Sequence, residues 1–102
     1  MLGDHHLWRK TYAYEASARV PLIAVAPGSM NVERNVECDA LIGWEDIMPT
    51  FLQAAETDQP ESVEGHSVLE LLKDPSDTLR PYYHGEHAPC YHPENANQFL
   101  TD

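Results

Sequence analysis

A chain of 102 residues holds enough material for one small domain and too little for two. Its 42% hydrophobic content, with two Trp, five Tyr and two Phe, argues for packing rather than disorder. With 17 acidic residues against 6 Lys and Arg the formal net charge is −11, which repels phosphate backbones and anionic lipid and predicts no nucleic-acid and no membrane partner.

No run of about 18 apolar residues occurs and no charged-then-apolar leader precedes residue 20, so neither a spanning helix nor a signal peptide is expected within these residues. The two cysteines, Cys38 and Cys90, are too few for a disulfide scaffold and leave the compartment open.

Residues 1–18 have mixed polarity and no clean period, which predicts a loop or a short helix. Within them "GDHHLWRK" (3–10) sets an acid, two histidines, an indole and two cations side by side, too polar for a core. The run "RVPLIAVAPG" (19–28) is continuously apolar and reads as a strand buried on both faces over 19–26, with Pro21 near its start and Pro27-Gly28 ending it. "WEDIMPTFLQAAE" (44–56) carries Trp44, Ile47, Met48, Phe51, Leu52 and Ala55 on one wide apolar stripe, predicting a helix whose stripe is core. Asp46 fits its N-cap and places Pro49 in the first turn, where the missing N–H costs little.

After the acidic linker "TDQPESVEG", Ser67 and Glu70 have the spacing of a capping box opening the short helix "VLELLK", which Pro75 terminates. "RPYYHGEH" and "NQFLTD" read as two further short strands. The order of strand, helix, short helix, strand, strand predicts an α/β layered fold. One doubly buried strand implies more neighbours than these residues supply, so the chain is expected to be a piece of a larger fold, with exposed strand edges that invite self-association.

Several groups carry candidate chemistry. A nucleophilic cysteine needs a nearby base or cation; Cys90 has His87 and His92 close in sequence, but an ordinary loop thiol is the simpler reading. His84, His87, Cys90 and His92, spaced by three, three and two, are ligand types that zinc accepts, although the spacing matches no finger. Asp4, His5 and His6 form a second small knot of ligand types. Lys10 follows an indole and an arginine and leads into Tyr12 and Tyr14; a compact ammonium among aromatic walls suits a tetrahedral oxyanion.

Five stretches occur together in one known family. "LGDHHLWRKTYAYEASARVPLIAVAPG", "CDALIGWEDIMPTFLQAAE", "VEGHSVLELLKD", "RPYYHGEH" and "NQFLTD", in this order and covering nearly the whole chain, resemble the later part of a sulfatase of the alkaline-phosphatase-like superfamily. The resemblance implies that residues 1–102 are a single fragment of a sulfatase catalytic domain and its C-terminal part, a partial α/β fold of a few strands with covering helices. In the complete enzymes a formylglycine, made from a Cys/Ser-x-Pro-x-Arg motif, attacks sulfur while a calcium or magnesium ion neutralises the sulfate oxygens. Neither "CDALI" at Cys38 nor "CYHPE" at Cys90 is that motif, and the paired aspartates of the metal site are missing as well. The resemblance therefore implies no catalytic residue in this chain and no cofactor bound by it, and it leaves Lys10 as a sulfate-contacting cation with His5 beside it. Glu15 and Arg19 match positions of structural character. The implied substrate is an organic sulfate ester, with "GDHHLWRK" as one wall of the site. The alternatives are a phosphonate or phosphate monoesterase fragment of the same superfamily, a non-catalytic module binding an anion or a partner, and the zinc loop of His84, His87, Cys90 and His92.

Overall fold

The computed structural model describes residues 1–9, 12–87 and 97–101, and of residues 87 and 97–101 the backbone alone. The elements are α1 (Glu15–Ala18), α2 (Ile47–Ala54), α3 (Leu69–Lys73), β1 (Tyr83–His87) and β2 (Asn97–Thr101), joined by loops and short 3-10 turns. They fall into two compact units, one of residues 1–23 with 84–101 and one of residues 24–83.

In the first unit the chain folds back on itself at once. Leu2 and Trp8 form an antiparallel bridge, and Arg9 N donates to Met1 O at 3.3 Å. The loop between them is a 3-10 turn, Asp4–His6, entered through Gly3 at φ 112, a conformation open to glycine and strained for other residues. The single turn α1 follows, with Ala18 N on Tyr14 O and Arg19 N on Glu15 O, both at 2.9 Å. The strands predicted at "RPYYHGEH" and "NQFLTD" form as β1 and β2, and they pair in a two-stranded sheet.

The predicted strand over 19–26 does not form: the segment pairs with no strand among the described residues. Val20, Leu22, Ile23 and Val25 are exposed, Ile23 at 86% and Val25 at 87%. The physical reason is a lack of partners. A doubly buried strand needs a ladder on each edge and a layer on each face, whereas β1 and β2 pair with one another.

The second unit is built around α2. A 3-10 turn, Trp44–Asp46, leads into it, and Pro49 lies in its first turn, where the N–H groups have no intrahelical acceptor. Its end is a Schellman arrangement: Thr57 N donates to Leu52 O at 2.9 Å and Glu56 N to Gln53 O at 3.0 Å, with Glu56 left-handed at φ 54. Helix α3 packs on α2, and Val68, Leu71 and Pro49 are buried between the loops and helices. Thr50 ties the two together, its hydroxyl donating to Asp46 O at 2.6 Å and accepting from Val68 N at 3.0 Å.

Two local expectations are corrected. The α2 stripe is not uniformly core: Trp44 (79% exposed), Met48, Phe51 and Ala55 face solvent, and Ile47 and Leu52 are half-buried. The helix is held instead on the face of Asp46, Pro49 and Thr50, which residues 65–68 and Arg80 engage. The capping box at Ser67 is also not made. Ser67 Oγ accepts from Leu69 N at 3.2 Å, but Glu70 turns to Lys73 at 2.8 Å, an exposed pair of small energetic weight. Pro75 follows the end of α3 by two residues, as expected.

Candidate functional site

The loop of residues 3–9 presents its two histidines, His5 and His6, to the surface. His5 and His6 both have left-handed backbones, φ 52 and φ 58, and Arg9 has φ 97. Non-glycine residues rarely adopt these values, and the strain is held by the bridge and by Gly3 N on Leu7 O (3.1 Å), His6 N on Gly3 O (3.0 Å) and Leu7 N on Asp4 O (2.9 Å). Asp4 Oδ2 accepts weakly from Leu2 N at 3.4 Å, so this carboxylate serves the loop itself.

His5 stacks on Tyr14, ring centroids 4.3 Å apart and planes 24° from parallel, and Tyr12 lies 6.0 Å from Tyr14 in a tilted arrangement. Ser17, buried in α1, fixes the backbone beneath these rings: its hydroxyl lies on the carbonyls of Tyr12 and Tyr14, and its N–H donates to Tyr14 O at 2.8 Å. The structure thus brings His5 together with Tyr14, and Tyr14 with Tyr12, the aromatic pair that the sequence pattern places after Lys10. Lys10, the cation of the same stretch, lies outside the described residues. Of the alternative zinc set, His84 and His87 are on β1, whereas Cys90 and His92 lie outside the described residues.

The donor sets that the family's metal and formylglycine require do not fit the described residues. Among them no group of three or more His, Cys, Asp or Glu side chains is gathered as a metal site. Cys38 is an exposed thiol followed by Asp39-Ala40-Leu41-Ile42.

The second unit contains a charged cluster that the sequence did not reveal. Asp46 is fully buried (0% exposed) yet its two carboxylate oxygens receive four donors: Gly43 N (2.8 Å), His66 N (2.8 Å), and a fork from Arg80, Nη1 at 2.7 Å and Nη2 at 2.6 Å. The same guanidinium donates to Leu41 O at 3.3 Å and contacts His66 Nδ1 at 3.2 Å. Since guanidinium has no acceptor, His66 Nδ1 receives this bond and its proton sits on Nε2. Arg80 lies over the Tyr83 ring, 5.4 Å from the centroid, and Tyr83 donates to Glu45 Oε2 at 2.7 Å. The role of Asp46 thus differs from the expected one. It occupies the position before α2 but caps no N–H within that helix; it accepts directly from Gly43 N and His66 N and reaches Leu41 O through Arg80. No motif in a single sequence marks an arginine 34 positions downstream as its partner.

Burial pushes the Asp46 carboxyl up, and the Arg80 fork with the Gly43 and His66 N–H groups outweighs it, so the group is held below the ordinary 3.8. A depressed carboxylate contributes stability that is present above the unfolded value and lost as pH falls through the folded one. Acid below about pH 4 is therefore the destabilising side for this cluster. Tyr83 moves the other way: burial and its hydrogen bond to Glu45 push the phenol from 10.0 up to about 12. Its contribution is complete below pH 10 and is lost as pH rises through 12. The tyrosinate titration of the parent minus that of Tyr83→Phe is expected to be centred near pH 12. A difference curve centred at pH 10 would contradict the cluster geometry.

With this geometry in place, comparison with known proteins gives a consistent result. Residues 3–96 match the family described as N-sulphoglucosamine sulphohydrolase, C-terminal. The chain is 39% identical over 102 residues to an arylsulfatase of Clostridium perfringens, covering 99% of this chain and 21% of that protein. It is 34% identical over 76 residues to arylsulfatase K of Mus musculus, covering 74% of this chain and 13% of that protein. It is 32% identical over 77 residues to an ulvan-active sulfatase of Formosa agariphila, covering 74% of this chain and 15% of that protein. The chain thus spans about a fifth or less of the length of these relatives. No solved structure gives a significant match. The chain belongs to the sulfatase family, corresponding to its C-terminal region.

Proposed function

We propose that residues 3–14 are part of the sulfate-binding wall of a sulfuric ester hydrolase, with Lys10 as the anion-contacting cation and His5 beside it, and that this chain hydrolyses no ester by itself. The observation that carries the reading is the presentation of His5. Its ring is pinned on one face by Tyr14, and among the described residues no hydrogen bond engages either of its nitrogens. A group held this way can donate to an anion without giving up an internal bond. Support also comes from the family match, which begins at Gly3 and includes the whole stretch. The substrate class is an organic sulfate ester, in keeping with relatives named as arylsulfatases and as an ulvan-active sulfatase. Because the overall charge of −11 repels a sulfate, attraction has to come from local cations.

The test is calorimetric titration of the chain with sodium sulfate at low ionic strength, alongside an assay with an aryl sulfate. Weak, saturable binding that disappears in Lys10→Ala and declines in His5→Ala is expected, with no turnover by any of the three proteins. Binding that Lys10→Ala leaves unchanged, or turnover by the parent chain, would contradict the proposal.

A further inference from the structure

We infer that Tyr14 is a positioning residue for His5: its ring holds the imidazole so that the nitrogen edge, rather than the ring face, is presented to the bound anion. This rests on the reading of His5 as a sulfate contact. The centroid separation of 4.3 Å and the 24° tilt are those of an offset aromatic stack. His5 needs such support because its backbone sits at φ 52, ψ 27 on an exposed 3-10 turn, and the side chain has no hydrogen-bond partner among the described residues. An unheld imidazole there rotates freely, and ordering it on binding is an entropic cost that a preformed stack removes.

Tyr14 is itself held. Its carbonyl accepts from Ser17 N and Ala18 N at 2.8 and 2.9 Å and lies 3.1 Å from the buried Ser17 hydroxyl, so the first turn of α1 fixes the backbone from which the ring projects. The phenol hydroxyl has no part in this arrangement; the ring does.

The inference is tested in the 102-residue chain by nuclear magnetic resonance of the His5 ring protons together with sulfate titration. In the parent, the His5 protons carry the upfield ring-current shift of a stacked imidazole. Tyr14→Phe is expected to retain that shift and the sulfate affinity. Tyr14→Leu is expected to lose the shift and to bind sulfate about 2- to 10-fold more weakly, the span that an aromatic pair's interaction energy sets. Amide signals of the Leu2–Trp8 bridge, unchanged in both variants, exclude loss of the loop as the cause. Unaltered affinity in Tyr14→Leu overturns the positioning role and leaves the sulfate wall intact. Equal weakening in Tyr14→Phe and Tyr14→Leu also overturns it, since the ring would then not be the holding element. A parent chain that binds no sulfate overturns the wall reading and this inference with it.

Discussion

Arg80→Ala is expected to destabilise the chain by about 3–5 kcal/mol, the range for removing one partner of a buried ion pair. Asp46 is fully buried and Arg80 has 14% of its side chain exposed, so the fork is largely shielded from water. After truncation the carboxylate keeps the Gly43 and His66 N–H groups but no counter-charge. Leu41 O and the Tyr83 ring face lose their partner in the same step. Val68, Leu71 and Pro49 are the buried apolar contribution of this unit among the described residues, a small core against such a loss. Urea unfolding followed by circular dichroism is the measurement. Arg80→Lys is expected to fall between parent and Arg80→Ala, because an ammonium keeps the charge and loses the two-pronged geometry. The paired replacement Asp46→Leu with Arg80→Met is expected to recover part of the deficit, because no charge is then stranded. A midpoint for Arg80→Ala equal to that of the parent would show that the cluster holds nothing together.

Gly65→Ala is the second large effect, and its cause is backbone rather than charge. Gly65 has φ 92, where an L-residue is strained by about 1–3 kcal/mol. A Cβ there would also run into the Glu45 carbonyl group and approach Asp46 N to 3.1 Å, and main chain cannot swing aside as a side chain can. Residue 66, next in sequence, donates its N–H to Asp46, so any shift of this turn also pulls a donor from the buried carboxylate. A loss of more than about 1 kcal/mol is therefore expected in the same urea experiment, with the Asp46 contacts disturbed. A neutral Gly65→Ala would mean that the turn does not pass this close to Glu45.

These two effects also show what could be read from the sequence. The helix at 47–54 was legible because periodicity, an acidic start and a first-turn proline agree, and the strands at 83–87 and 97–101 because Tyr82 and Tyr83 on one side and Phe99, Leu100 and Thr101 on the other flank a polar stretch of sequence. The family was legible from five stretches in register, a signal that no single stretch carries. Long-range pairing was not legible. Asp46 looks like an ordinary cap from its neighbours, and its partner Arg80 looks like the polar edge of a strand; only the fold brings them together. The run over 19–26 failed differently. Its apolar pattern encodes a buried strand, but burial depends on neighbouring layers, and no strand among the described residues pairs with it. Likewise Trp44, Met48 and Phe51 carry the pattern of a core face and lie exposed. At the candidate site the sequence set Lys10 before Tyr12 and Tyr14; the stack of His5 on Tyr14 and the strained loop that carries it were not legible and come from the structure. The zinc alternative falls partly on residues outside those described.

The central claim, that residues 3–14 form a sulfate-binding wall, is tested most directly by following every backbone amide of the chain during a sulfate titration at low salt. Saturable shifts concentrated at Asp4–His6, Lys10 and Tyr12–Tyr14, and absent there in Lys10→Ala, are the predicted result. Shifts confined to the surroundings of Arg80, or no saturable shift at residues 3–14, would contradict it.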